Sequence, residues 1–516
     1  MGTDRPRTIP HGGLDPGDAA LRERLAVESL PFGAAVAYGF SWLLTQSLVL
    51  KVVSVTGRVV LARLMTPREF GLMGLADTVA LLALLVQRNG LREMLVRQGE
   101  RQPGWLNAGF WFSMASALVA SALMLLGVPA AVRFYGDALL RDLLLFLAFT
   151  LPLMSLGLVP LSRLEAQMRY RPIAVINMIS GSSATVIAVI CAVAGLGAMS
   201  LAVPRAVVAA GSALALWFLA GPRLRPTPDL VRWPHLLEGG ALLFLVSLAG
   251  LVISHGDYAI VGRVLGTEAA GLYVFAFGLA EQAGLLVTAN LSMVLLPALS
   301  RLQGAPCARQ RQALLDAMRT CALAATPLAL LQAALAGPLV RVVFGARWEP
   351  AVPLVQALSL GLSLAVLAGP AQAFVRAQGR WRWLLGYSSA SAAGFLIAAI
   401  AASTTGRLAA ISAAVALYYA ADGVGCATLV LRLVEGRPRD LASALTPVVA
   451  AAALGVGLGF AACAFLPSGW GGDVARLLVM PPLSGAAYLW LLRRFSPSSF
   501  EALPRQVRRL VVGGRG

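Results

Sequence analysis

The chain has 516 residues, 58% of them hydrophobic and only 13% charged, with 42 Lys plus Arg against 24 Asp plus Glu and a formal charge of +18. A water-soluble chain carries about 25% charged residues, so the composition disfavours an ordinary cytosolic enzyme. Three His and five scattered Cys without a CxxC pair supply neither a zinc framework nor a disulfide pattern.

Residues 1–37 come first, mixed in charge and rich in Pro and Gly, unlike the basic, apolar, small-residue pattern of a cleaved signal peptide. They read as a cytoplasmic tail. Apolar segments follow at 38–60, 70–88, 107–131, 142–161, 172–195 and 199–220. A second series runs 237–260, 271–297, 317–343, 351–375, 383–402 and 408–430, and a last pair lies at 443–466 and 475–492. Most approach the roughly 20 residues that a helix needs to cross a hydrocarbon core. The expected fold class is therefore an all-α polytopic membrane protein with about fourteen transmembrane helices.

The basic residues test this count independently, because Lys and Arg accumulate on the cytoplasmic side of spans. With the amino terminus inside, 29 of them fall in cytoplasmic tails and loops and nine at the outer side, while Lys51, Arg58, Arg88 and Arg205 sit within or at the edge of spans. The bias predicts cytoplasmic termini at both ends and an even number of helices. The surplus charge thus reads as an orientation signal, not as nucleic-acid binding. The longest internal loop is expected at 298–316, too short for a soluble catalytic domain, and no GxxxxGK[ST] loop is present. An enzyme is not expected.

A faint repeat links the halves at an offset of 200, matching Arg63 in LARLMTPREFGLM with Arg263 in VGRVLGTEAAGLY, Gly71 with Gly271 and Leu72 with Leu272, and setting Thr66 against Gly266. Both copies begin on the same membrane side, which implies parallel repeats about an axis along the membrane normal. The expected organisation is a six-helix lobe over 38–220, a cytoplasmic linker at 221–236 and a second six-helix lobe over 237–430. A helix pair over 443–492 and a basic cytoplasmic tail at 493–516 complete it. Turn glycines at helix exits would produce such short matches by chance.

The chain resembles the polysaccharide transporter family, the O-antigen and exopolysaccharide flippases of the multidrug, oligosaccharidyl-lipid and polysaccharide exporter superfamily. The resemblance lies in LARLMTPREFGLMGLADTVALLALLVQRNGLREMLVRQ at 61–98, NAGFWFSM at 107–114, RFYGD at 133–137, VPLSRLEAQMRYRPIAVINMISG at 159–181, HGDYAIVGRVLGTEAAGLYVFAFGLAEQ at 255–282 and VLLPALSRLQ at 294–303. It covers roughly 38–430 and is strongest in the first 300 residues. Relatives often carry Asn before Asp where this chain has His255, Gly256, Asp257. The resemblance implies a flippase that moves polyprenyl-diphosphate-linked oligosaccharide across the bacterial inner membrane by alternating access. Implied partners are the lipid-linked oligosaccharide, membrane lipids and a polysaccharide polymerase or export machinery. The alternative is an ion-coupled exporter of another amphipathic small molecule or drug.

Ionisable groups at membrane depth are costly and face a bundle interior or wet cavity, so they are the first site candidates. Lys51 and Arg58 lie seven apart on the first helix, near one face, and a cationic cleft suits a diphosphate. Against this, Arg58 is also placed to snorkel to headgroups, and Arg205 to serve in a structural pair. Glu281 and Gln282 lie about 15 Å into the eighth span, where Glu281 either takes a proton or meets a basic partner. Asp77, His255 and Asp257 are expected near the outer ends of spans two and seven, as proton-coupling groups or static contacts. Asn89, Arg92 and Asn107 cluster near the cytoplasmic face, for saccharide or phosphate recognition or for anchoring and capping. The Trp residues are expected to anchor at the interfaces. No cofactor or metal is expected; proton or sodium coupling is the candidate drive.

Overall fold

A computed structural model describes residues 32–87, 91–98, 103–221, 224–234 and 240–497, and Phe500. Among these the chain is helical throughout, without strands. The helices are α1 (Phe32–Leu64), α2 (Pro67–Gln87), α3 (Leu91–Gln98), α4 (Pro103–Tyr135), α5 (Leu139–Leu156), α6 (Leu158–Ala166), α7 (Tyr170–Val193) and α8 (Met199–Ala220). They continue as α9 (Gly240–Ser300), α10 (Cys307–Leu339), α11 (Val352–Ala365), α12 (Ala368–Ala377), α13 (Trp381–Ser403), α14 (Leu408–Arg432), α15 (Pro438–Ala462) and α16 (Trp470–Phe495). Eleven segments among the described residues are long and apolar enough to cross a membrane, so the chain is a multi-pass membrane protein. One of them, Phe244–Gln282, carries the expected seventh span and part of the eighth.

Two expectations change. The 298–316 loop shrinks to six residues, because helix continues to Ser300 and resumes at Cys307; the charges of RQRQALLDAMR did not interrupt a helix whose other face is apolar. Spans seven and eight are a single helical run broken only at Gly266, whose φ of 86° and ψ of 177° leave helical space. Glycine tolerates this conformation without a Cβ clash. The corresponding break in the first half falls at Met65 and Thr66, so the two interruptions stand 200 positions apart.

Packing partners fall into two groups. In the first, α1 lies on α7, α4 on α5, and α8 on both α5 and α7; in the second, α9 lies on α11 and α13, and α14 on α11 and α13. The groups meet where α2 runs along α9. At this crossing a Cβ on Gly71 would collide with the Thr267 carbonyl, and one on Gly271 with the Pro67 carbonyl. Residues 67 and 71 therefore meet 271 and 267 reciprocally, the signature of a two-fold contact between repeats. Small residues let helix backbones approach this closely where lipid supplies no hydrophobic drive.

The α15–α16 pair lies against α10. Gly455 faces Tyr488 and Gly459 faces Ser484 across the pair, while Tyr488 Oη donates to the Leu323 carbonyl at 2.8 Å. The Arg341 guanidinium clasps Asp473 with two bonds, at 2.7 and 3.0 Å.

Candidate functional site

The end of the bundle that carries Thr66 and Gly266 is sealed by contacts that exchange helix ends between the halves. Arg63, at the end of α1, donates to the Val342 and Val343 carbonyls at 2.8 Å each, and its repeat counterpart Arg263 lies over the Phe134 ring at 5.7 Å. Each arginine thus reaches across to the opposite half, where carbonyls just beyond the end of α10 or an aromatic face on α4 accept a cation. Trp348 is fully buried, stacks on Phe275 at 4.1 Å and donates its indole N–H to the Ala62 carbonyl at 2.7 Å. It is a plug between the halves, not the interfacial anchor expected from its sequence position. Arg347 adds a bond to the Met65 carbonyl at 3.1 Å.

Asp137, just beyond α4, ties the same end together. Its carboxylate accepts from Arg68 at 3.1 Å, from the Leu139 N–H at 3.1 Å and from the Thr267 hydroxyl at 3.1 Å. Partial burial works to raise its pKa, but the Arg68, Leu139 and Thr267 bonds outweigh that and hold it below the usual carboxylate range.

Beneath the seal, most of the intramembrane candidates converge where the halves meet. Depth along each helix explains why. Asp77 lies eleven residues after Thr66 and His255 eleven before Gly266, about 16 Å from the break in each case. Both are therefore halfway down, not near the outer ends as expected, because α2 and α9 extend beyond the apolar cores that marked them. Lys51 and Gln282 lie 15 and 16 residues from the breaks, about 23 Å down, and meet: Lys51 Nζ donates to Gln282 Oε1 at 2.6 Å. One step nearer the seal, Arg58 Nη1 donates to the Gly278 carbonyl at 2.7 Å. Glu281 makes no direct bond among the described residues, yet interacts electrostatically with Arg58.

Arg205 grips both carboxylate oxygens of Asp77, with Nη2 to Oδ2 at 2.9 Å. His255 lies edge-on to Tyr258 at 5.2 Å, and its Nδ1 is buried without a hydrogen-bond partner among the described residues. Asp257 turns the other way: wholly buried in the second half, it accepts from Tyr273 Oη at 2.7 Å and from the Tyr258 N–H at 3.0 Å. The result is a polar layer with three cations, Lys51, Arg58 and Arg205, and two facing anions, Asp77 and Glu281.

The remaining candidates are not part of this layer. Arg92 pairs with Glu165 where α3 meets α6, with Nε to Oε2 at 2.8 Å. Asn89 lies outside the described residues. Asn107 straps the linker, donating to the Thr227 carbonyl and accepting from the Arg225 N–H, both at 3.0 Å. A further intramembrane carboxylate, the half-buried Asp422 on α14, accepts from Tyr387 Oη at 2.7 Å and from the Ser391 hydroxyl. Its signal was legible as one acid inside the apolar run LYYAADGVG.

Comparisons with known proteins agree with this architecture. A family model described as polysaccharide biosynthesis protein matches residues 60–353. The succinoglycan biosynthesis transport protein ExoT of Rhizobium meliloti (strain 1021) is 28% identical over 301 residues, 58% of this chain and 61% of that protein. The match therefore spans less than two thirds of ExoT. The teichuronic acid biosynthesis protein TuaB of Bacillus subtilis (strain 168) is 21% identical over 349 residues, 66% of this chain and 71% of TuaB. Among solved structures, the lipid II flippase MurJ in an inward closed conformation superposes with a TM-score of 0.69 at 13% identity, covering 87% of this chain and 98% of that one. An inward-facing multidrug resistance MATE family transporter of the MOP superfamily gives 0.59 at 13% identity, covering 75% and 94%. At such identity the two structures speak to fold alone. The chain belongs to the polysaccharide biosynthesis protein family and shares the fold of the MurJ and MATE transporter structures.

Proposed function

We propose that the protein moves lipid-linked oligosaccharide, carried on a polyprenyl diphosphate, across the bacterial inner membrane for surface polysaccharide synthesis. The observation that carries this reading is the pair of cations Lys51 and Arg58, which bridge the halves, with Arg205 held by Asp77 on the first half. Cations at this depth are stable only where an interior or wet cavity receives them, and a diphosphate is the ligand that two or more of them hold best. The names of ExoT, a transport protein of succinoglycan biosynthesis, and TuaB point to the same substrate class.

In this reading the basic bias places both termini and the 221–236 linker in the cytoplasm, making the Thr66 end the outer one. The sealed state is then closed to the outside. Release requires the halves to part at Arg63, Trp348 and Asp137 while a contact forms at the opposite end, which is alternating access. The protein acts as a transporter, not an enzyme, and a polymerase or export complex takes up the product. Protonation or sodium binding supplies the drive, at Glu281 or His255, the ionisable groups beside the moving junction, or at Asp257, buried within the second half. The test is reconstitution into liposomes with a defined lipid-linked saccharide, measuring its transbilayer movement with and without imposed proton or sodium gradients. Accumulation of the saccharide in the opposite leaflet is expected; transport of amphipathic drugs with no movement of lipid-linked saccharide would instead establish the small-molecule exporter.

A further inference from the structure

A cavity of about 410 Å³ lies between α1, α7 and α8, within the range of about 300–1,000 Å³ that small-ligand sites occupy. Leu50, Val53, Leu61 and Leu201 are among its apolar walls, and the two arginines, Arg58 and Arg205, also line it. It follows α1 for three turns. Gly57 and Gly181, which also line it, bring α1 and α7 together: a Cβ on Gly57 would strike Thr185, and one on Gly181 would strike Leu50.

The two arginines differ in what they have left to give. Arg205 is committed to Asp77 through both of its terminal nitrogens. Arg58 makes one hydrogen bond among the described residues, to Gly278, although a guanidinium carries five donors. An anion arriving at the groove therefore finds open donors at Arg58. The portion of the ligand attached to that anion must be apolar, because a saccharide in the groove would leave hydroxyls facing Leu and Val without partners. A glycerophospholipid fits poorly, since its ester carbonyls sit between phosphate and chains and the groove offers only Ser54 and Thr185 as further hydroxyl donors. In a polyprenyl diphosphate the first isoprene is joined directly to the phosphate oxygen, with no acceptor between charge and hydrocarbon.

We propose that this groove holds the isoprenoid segment next to the diphosphate of the transported lipid, with Arg58, one of its lining residues, binding the diphosphate. The inference rests on the proposed transport of lipid-linked saccharide and adds the place where the lipid part is read.

The experiment uses the full-length protein in detergent and two probes, a farnesyl-diphosphate-linked monosaccharide and the same sugar diphosphate carrying a methyl group. The farnesyl form is expected to bind at least about tenfold more tightly, given about 0.8 kcal/mol for each buried methylene. Ala184→Phe, which fills the groove from α7, is expected to abolish most of that advantage while leaving the weak binding of the methyl form. A diazirine on the first isoprene is expected to label residues 181–188 in the unaltered protein, a result that does not depend on any variant folding. Labelling elsewhere, a chain advantage that survives in a well-folded Ala184→Phe, or displacement of the farnesyl probe by equimolar phosphatidylglycerol would overturn the assignment. Transport of the saccharide in liposomes with an unlabelled groove would reject the groove alone, whereas absence of any transport would reject the functional reading beneath it.

Discussion

Lys51 and Arg58 stand seven positions apart on α1, and each gives a hydrogen bond to the opposite half of the molecule, at Gln282 and Gly278. In the proposed transport, a residue that binds the anion and bridges the junction would couple substrate arrival to the closed state. Lys51→Gln keeps a hydrogen-bonding group opposite Gln282 but removes the charge, so transport at limiting substrate is expected to fall about tenfold or more while insertion is retained, following the larger worth of charged hydrogen bonds. Unchanged transport in liposomes would show that the charge is not used. Asp137 gives a prediction in pH. Its carboxyl is held low in the folded protein, so its stabilisation is present above the ordinary carboxylate range near pH 4 and is lost as pH falls through the lower folded value. Thermal unfolding should show Asp137→Asn less stable at pH 7, by no more than about 1 kcal/mol because Arg68 is 59% exposed, with the difference vanishing in acid. The intramembrane charges were visible in the sequence because each interrupts an apolar run. Their partners were not, since Lys51 and Gln282 lie 231 positions apart and no local pattern joins them.

At the scale of elements, the α2–α9 crossing depends on Gly71 and Gly271, where any side chain would meet facing backbone. Overpacking ordinarily costs about 1–3 kcal/mol, and backbone yields less readily than side chains, so Gly71→Leu should lower the thermal midpoint by several degrees or prevent accumulation of folded protein. Gly127→Ala on α4 is the contrast: a Cβ there meets nothing, and replacing a helical glycine should be neutral or stabilising by up to about 1 kcal/mol. Equal losses for the two variants would mean that the crossing is not the constraint. The repeat offset of 200 was legible from Arg63, Gly71 and Leu72, and the breaks at 66 and 266 fall on that register. Helix ends were less legible. Hydropathy follows burial in lipid, while the backbone of α9 stays helical to Ser300 because i to i−4 bonding does not need an apolar surface.

For the whole molecule, the proposed transport requires the seal of Arg63, Asp137, Arg347 and Trp348 to open. Cysteines placed at Arg63 and Val343, joined by a short bifunctional maleimide in a protein whose five native cysteines are replaced, should hold the halves together and stop movement of lipid-linked saccharide. A tether long enough to span the opened state should restore it; full transport with the short tether in place would mean that this end does not part. The sequence by itself determined the all-helical membrane fold class and where charges interrupt the apolar runs, because lipid excludes charge and unpaired backbone, and the effect is written locally as apolar runs and their interruptions. Only the tertiary structure decided that Asp77 and His255 lie halfway down and that Asp257 turns inward to Tyr273. It also decided that Asn107 holds the linker and that Trp348 plugs the junction. Those outcomes depend on the rotation of each helix about its axis and on contacts between residues hundreds of positions apart, and neither is encoded in the periodicity of any one segment.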